Sequence, residues 1–328
     1  LIVSNDTIMM PPYDINGKIL NLLTAISEQL GAANALHLDK PSPQLRKRNR
    51  VKTIQASLEI EGNTLTEEQI TAIIENKRVL GPQKDIREVL NAIDVYEELP
   101  NLNPTTTKSF LRAHEILMKG LIDGAGKFRN RSVGIVKGGE VAHLAPPAEH
   151  VPHLIKDLFE YLKTGQDPIL IRSTVVHYEI EFIHPFLDGN GRMGRLWQTL
   201  ILIQEYPVFQ YLPFETIIKA RQDDYYRALS LSDKSGKSTI FIEFILEAIH
   251  ESLSDLLDIQ NRTFTAADRI SYFLATFEGE EFSRKTYMQV FKDISTATAS
   301  RDLKNAVDQN LILKKGERRL TSYRIVKK

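Results

Sequence analysis

Apolar residues recur at helical spacing along most of the chain and predict a mainly α protein. The densest run holds Ile169, Val176, Ile180 and Ile183. Its β-branched content would also suit a strand, but the period favours a helix ending at His184, with Asp167 and Pro168 as N-cap and first-turn proline. Leu196, Leu200 and Ile203 follow at i, i+4 and i+7, which predicts a second helix from about Arg192. Between the two, Pro185 and the run Asp188, Gly189, Asn190, Gly191 force a turn, because glycine and asparagine tolerate positive φ.

The same pattern places helices over 19–30, over a stretch holding Val51, Ile54 and Leu58, over 85–99, up to Met118, and over 240–257. Gly62 and Asn63 give a C-terminal stop, Thr66 and Gln69 form a capping box that opens the next helix, and Gly81 and Pro82 interrupt it. Residues 1–13 read as an extended arm, and 100–107, 120–126 and 232–238 as loops. Only 127–143 reads as β in the core. There Val133, Ile135 and Val141 flank Lys137, Gly138, Gly139 and Glu140, a hairpin turn. A lone hairpin is marginal in water, so it must lean on something.

Composition narrows the function classes. The 328 residues balance 42 basic against 42 acidic side chains, so no global field draws the chain to nucleic acid or membrane. No apolar run approaches the roughly 20 residues that span a bilayer, and the start lacks a basic and apolar leader. The absence of cysteine excludes disulfides and thiolate metal sites and agrees with a cytoplasmic location, which is the expectation here. His150 and His153 have metal-like spacing, but with no third ligand nearby they are expected to be surface residues. Residues 264–328 differ from the rest, with an excess of five positive charges.

The chemistry concentrates between His184 and Arg195. A turn rich in backbone amides leads into a helix start, an arrangement that holds an anion. Arg192 and Arg195, three apart on the first turn, are expected to share a face and aim at one volume, as two phosphates would require. Asp188 beside that anion calls for a divalent cation, and Mg²⁺ is the usual solution. His184 is the neutral-pH proton acceptor of the stretch. Gly189, Gly191 and Gly194 also satisfy GxGxxG, but that fingerprint needs a preceding strand and the period here is helical.

HPFLDGNGRMGR resembles the Fic family signature, HxFx(D/E)GNGRxxR, at every defining position. The resemblance implies a Fic-type helical core with a β-hairpin flap and transfer of AMP from ATP, with Mg²⁺, to a protein hydroxyl. It makes His184 the general base, Phe186 the buried anchor of the loop and Asp188 the Mg²⁺ ligand. Gly189, Asn190 and Gly191 would surround the α- and β-phosphates, Arg192 and Arg195 would hold the β- and γ-phosphates, and Met193 and Gly194 complete the nucleotide-binding stretch. Retention of Gly191, where the Doc-type branch has a lysine nearby, favours adenylyl over phosphoryl transfer. The flap strand Val133, Gly134, Ile135 and Val136 would line the nucleotide, with Tyr225 and Asp233 near the nucleoside.

Ser57, Glu61 and Gly62 match (S/T)xxxE(G/N), the inhibitory-helix motif of Fic proteins, whose implied cationic partner is Arg195. Read alone, Glu61 would be a solvated carboxylate at the unfavourable end of a helix dipole. The expected divisions are 1–104 with the inhibitory helix at about 45–62, a Fic core over 105–262, and 263–328 resembling a winged helix-turn-helix domain for DNA or protein docking, with Arg301 and Lys304 on its recognition helix. Target hydroxyls, self-modification and a homodimer complete the expected partners. The alternatives are a nucleotide-sensing DNA-binding regulator and an enzyme that also removes AMP.

Overall fold

The computed structural model describes residues 11–35, 43–137, 140–261, 266–277, 279, 281–291, 294–316 and 321–326. Most of the expected N-terminal arm, the Gly138 and Gly139 turn and residues 317–320 of the expected winged helix-turn-helix region lie outside the described residues. The chain forms two compact units, Leu1–Leu257 and Asp258–Lys328, each with its own hydrophobic core.

The first unit runs through helices α1 (Gly17–Ala35), α2 (Pro43–Ile60), α3 (Glu67–Ile74), α4 (Gln83–Glu98) and α5 (Thr107–Leu117). A hairpin of β1 (Gly134–Lys137) and β2 (Glu140–Leu144) follows, antiparallel, with a register shift between Ile135 and Val136. Then come α6 (Val151–Thr164), α7 (Ile169–Ile183), α8 (Asn190–Glu205), α9 (Glu215–Ala220), α10 (Gln222–Ser235) and α11 (Thr239–Asn261), whose end runs past Leu257. One core joins α1, α2 and α4 to the segment from α5 onward.

The centre of that core is the antiparallel pair α7 and α8. Leu170, Ile171, Val175, Val176, Tyr178 and Ile180 bury nearly the whole circumference of α7. Packing decides the conformation of such a helix, which is why its β-branched residues do not divert it into a strand. Trp197 on α8 is fully buried, and its Nε1 donates to the Pro104 carbonyl at 3.0 Å, fastening the loop before α5 to the pair.

The structure departs from the sequence pattern at three places. Pro168, not Asp167, occupies the N-cap of α7; Asp167 instead accepts from the Tyr13 hydroxyl at 2.5 Å and from Arg172 Nε at its carbonyl. α8 begins at Asn190, two residues early, because Gly189 at φ 86° supplies the left-handed entry. The expected loop 232–238 is helical as far as Ser235, where Gly236 at φ 68° ends α10, since Tyr225, Ala228 and Ser232 keep one face buried. The capping box at Thr66 and Gln69 is present with both of its bonds.

The second unit holds α12 (Ala266–Thr276), β3 (Glu281–Phe282), α13 (Arg284–Val290), α14 (Thr296–Asp308), β4 (Ile312–Lys315) and β5 (Ser322–Ile325), with strand order β3-β5-β4. β3 is too short to leave a period in the sequence. Phe273, Phe282, Tyr287, Leu303 and Ile312 form its core. Buried Asp302 accepts two bonds from Arg269, at 2.6 and 2.9 Å, and one from Tyr287 at 3.1 Å, so its charge is paired. Among the described residues no helix is long and apolar enough to cross a membrane.

Candidate active site

The loop between α7 and α8 is built by residues that satisfy each other's backbone. His184 ends α7 in the left-handed region, at φ 50° and ψ 60°. Arg129, buried in the stretch GKFR, holds that unusual turn: its Nε donates to the His184 carbonyl at 2.8 Å and its amide to the Pro185 carbonyl at 2.9 Å. The same guanidinium reaches the Ile183, Arg131 and Pro146 carbonyls. The His184 backbone is thus fixed from outside its own helix.

Phe186 is fully buried and lies flat on the His114 ring, centroids 3.6 Å apart. His114 Nδ1 accepts from the Gly126 amide at 2.9 Å, so Nε2 carries the hydrogen and donates to the Asp188 carbonyl at 3.0 Å. Burial pushes the His114 imidazole down to about 4, which keeps it neutral. Asn190 closes the loop from the other side. Its side chain accepts from the Phe186 amide at 2.9 Å and donates to the Phe186 carbonyl at 3.0 Å. His114 supports the loop from outside the motif, and its place on the buried face of α5 gave no chemical signal in the sequence.

What remains exposed is the chemical part. The Asp188 side chain is 52% exposed and accepts from the Gly189 amide at 2.6 Å and from Arg192 Nη2 at 3.2 Å. No side chain caps α8, so its first-turn amides and the positive end of its dipole face the loop. A bound anion is the natural partner for such a helix start.

The two arginines do not aim at one volume. Arg192 is turned toward α4, where its Nη1 donates to Glu88 Oε1 at 3.0 Å. Arg195 is turned toward α2: Nε donates to Ser57 Oγ at 3.0 Å, and Nη2 to the Ser57 carbonyl at 2.9 Å and to Glu61 Oε1 at 2.7 Å. Arg195 has no exposed surface, and its Nη1 meets no hydrogen-bond partner. Burial alone would lower its pKa, but Glu61, Tyr225 and Glu181 around it raise it instead, so the guanidinium stays charged.

Glu61 is presented by a fastened turn. Gly62 takes φ 92°, and the Asn63 amide bonds back to the Leu58 carbonyl at 3.1 Å. Asn63 Nδ2 reaches Glu88 at 2.9 Å, while the Thr64 amide and hydroxyl bond Asp85 at 2.9 and 2.6 Å. From the other side Gln222 donates to the Ile60 carbonyl at 3.0 Å. Glu88 therefore serves both the turn that carries Glu61 and the arginine at the loop, a coupling no local pattern could reveal.

Other expected site residues fall elsewhere. Tyr225 is completely buried and cannot meet a nucleoside as it stands; its hydroxyl lies 2.9 Å from Glu181 Oε1 and 3.2 Å from His177 Nε2. Its neighbour Tyr226 is half-buried, with its hydroxyl 3.4 Å from the Ile60 carbonyl. Asp233 accepts from Tyr178 at 2.8 Å. Met193 is buried in the core, and Gly194 is small because His177 approaches it: an added Cβ would come within 2.5 Å of that ring. Val133 is half-buried before β1, which takes in Gly134, Ile135 and Val136. His153 lies 3.3 Å from Asp157 on its own helix, and among the described residues no group of three metal-binding side chains occurs.

The arrangement therefore offers an anion-holding helix start, a carboxylate and a histidine at its rim, and a buried arginine held by an internal carboxylate. The model of the Fic/DOC family matches residues 104–202. A crystal structure of a Fic family protein from Desulfovibrio desulfuricans is 41% identical, covers 98% of this chain and 99% of its own, and superposes with a TM-score of 0.76. On that likeness the chain belongs to the Fic family. It is also similar to the protein adenylyltransferase fic-1 of Caenorhabditis briggsae, 30% identical over 210 residues, and to the protein adenylyltransferase Fic of Drosophila grimshawi, 27% identical over 245. Those matches cover 59% and 70% of this chain but only 38% and 48% of the two relatives, so the chain spans less than half the length of the curated relatives it matches.

Proposed function

We propose that the chain is a protein adenylyltransferase that moves AMP from ATP to a Ser, Thr or Tyr hydroxyl of a protein, itself included, and that Glu61 holds it inactive. The observation that carries this reading is the buried Arg195 guanidinium at the head of an amide-rich helix start, occupied by the chain's own carboxylate at 2.7 Å. A buried cation needs an anion, and a triphosphate supplies one once Glu61 withdraws. The names of the relatives support the same chemistry.

His184, held by Arg129, takes the proton from the target hydroxyl. The freed oxygen attacks the α-phosphorus, the bond to the β-phosphate breaks, and diphosphate leaves with the electron pair. The first-turn amides of α8 and Arg195 hold the phosphates in line. Asp188 fits Mg²⁺ because a single half-exposed carboxylate beside a phosphate site is what that ion accepts, together with substrate oxygens and water. When bound, the ion would neutralise charge developing on the leaving diphosphate.

Incubation of the full chain and of Glu61→Gly with labelled ATP and Mg²⁺ tests the reading. Label should enter protein, and more so in the variant. Intact ATP binding with no label in either protein overturns it.

The C-terminal unit is proposed to be a winged helix. Its order of helices and strands fits that plan, and Arg284, Lys285, Arg301, Lys304, Lys314, Lys315 and Arg324 are all exposed. Duplex DNA should bind with a steep salt dependence that Arg301→Ala with Lys304→Ala reduces. Salt-independent association leaves protein docking as its role.

A further inference from the structure

Behind Arg195 runs a buried chain of polar groups that the reaction does not use. The Thr174 hydroxyl donates to the Leu170 carbonyl at 2.8 Å, so it must accept from Gln198 Nε2 at 2.9 Å. That fixes the amide, and Gln198 Oε1 faces His177 Nδ1 at 2.7 Å. Nδ1 therefore carries the hydrogen. Burial holds His177 down at about 3, so the ring is neutral and its Nε2 is a bare acceptor. Nε2 lies 3.2 Å from the Tyr225 hydroxyl, which also lies 2.9 Å from Glu181 Oε1.

Tyr225 has one hydrogen for two acceptors. With Glu181 ionised, the hydroxyl donates to the carboxylate and His177 Nε2 is left facing an oxygen lone pair. With Glu181 protonated, the carboxyl donates to Tyr225, Tyr225 donates to His177, and each group in the chain is satisfied. Buried polar groups without partners are costly, so the latched arrangement favours the proton on Glu181.

The same carboxyl borders the latch. A Cβ placed on Gly191 would lie 2.6 Å from Glu61 Oε1, 3.1 Å from Glu181 Oε1 and 3.2 Å from Arg195 Nη1, so the three groups converge over this glycine. Arg195 Nη1 is the nitrogen without a partner. Glu181 is thus a second carboxyl beside the guanidinium, near enough to bias its charge without being paired to it.

We propose that Glu181 is the positioning residue for Arg195: protonated, it serves Tyr225 and leaves the guanidinium to Glu61, and ionised, it takes Nη1, repels Glu61 and opens the latch. This deepens the adenylyl-transfer reading above and rests on it for its activity readout. Glu181 faces Glu61 from the turn after α2, Arg195 from α8, Tyr225, Tyr226 and Asp233 from α10, and His177 one turn back on α7. Burial and then the Glu61 charge push Glu181 up to about 7, against Arg195 and Tyr225, which lower it. Withdrawing Glu61 removes one of the raising charges, so the latched form binds the proton more tightly than the open form. Low pH therefore closes the latch, and raising the pH through about 7 opens it.

The test measures AMP incorporation between pH 6 and 8.5 in the parent, Glu61→Gly, Glu181→Gln and the double variant. The ratio of Glu61→Gly to parent reports inhibition and cancels the pH dependence of the chemistry itself. It should fall as pH rises across this range, because the Glu61 charge raises the Glu181 pKa only while the latch is closed. In the Glu181→Gln pair the ratio should stay high and flat, because the amide mimics the protonated acid. A ratio independent of pH in the parent pair, or equally dependent in the Gln pair, overturns the proposal.

Infrared difference spectra provide a readout that needs no transfer. The carbonyl stretch of a protonated carboxyl should disappear from the parent as pH rises through about 7, and that component should be missing in Glu181→Gln. If no protein takes up label but the band titrates, the transfer reading fails and the proton on Glu181 stands. If label is incorporated but the band is absent, the Glu181 proposal fails alone. Thermal melting confirms that the Gln variant is folded.

Discussion

Arg195 Nη2 donates to Glu61 Oε1 at 2.7 Å across 134 residues of chain, from a guanidinium with no exposed surface to a carboxylate on a fastened turn. Removing one partner of such a pair leaves a buried charge without compensation, which costs about 3–5 kcal/mol unless another anion arrives.

Glu61→Gly should therefore raise AMP transfer by at least about a hundredfold, the penalty that misplacing a reacting group by an ångström imposes. Adding Arg195→Ala should cancel much of the gain, since the freed arginine is what the first substitution supplies. Equal self-labelling in Glu61→Gly and the parent would leave the Glu61–Arg195 pair a structural contact with no inhibitory role.

His184→Ala should abolish transfer while ATP affinity stays nearly unchanged, because the base acts in the chemical step. Asp188→Ala should instead weaken binding of ATP in a Mg²⁺-dependent way. Calorimetric titration with and without the metal separates the two; a parallel loss of binding and turnover in His184→Ala counts against its role as base.

The Arg192 and Glu88 pair, both nearly buried at 3.0 Å, makes a prediction about stability. Glu88→Ala should cost about 3–5 kcal/mol, and Glu88→Leu with Arg192→Met should recover much of it, because no charge is then left unpaired. Denaturant unfolding of the single and double variants decides. Additive losses would show that the two residues do not act as a pair.

His114 should give the protein a pH-dependent stability. Its folded-state value of about 4 lies below the ordinary histidine value, so the unfolded chain takes up the proton first as pH falls. The contribution is complete above about 6.5 and is lost progressively toward 4. His114→Gln should melt lower at pH 7.5, through loss of the Phe186 stack, and should lose less on acidification. An identical slope in both proteins would assign the acid sensitivity to other groups, His177 first, which burial also depresses.

The sequence by itself determined the loop and much of the helical plan. Turn chemistry is local, so Pro185, Gly189 and Asn190 announce the break between α7 and α8, and Thr66 with Gln69 announces the start of α3. Side-chain direction is not local. Arg192 and Arg195, neighbours on one helix turn, reach toward different helices because Glu88 and Glu61 arrive from distant segments. Tyr225 is taken into the core by α7 and α11, although the family resemblance implied a place near the nucleoside. The raised pKa of Glu181, the neutrality of His114 and the charge on Arg195 follow from burial and from partners far away in sequence, so only the tertiary structure decided them.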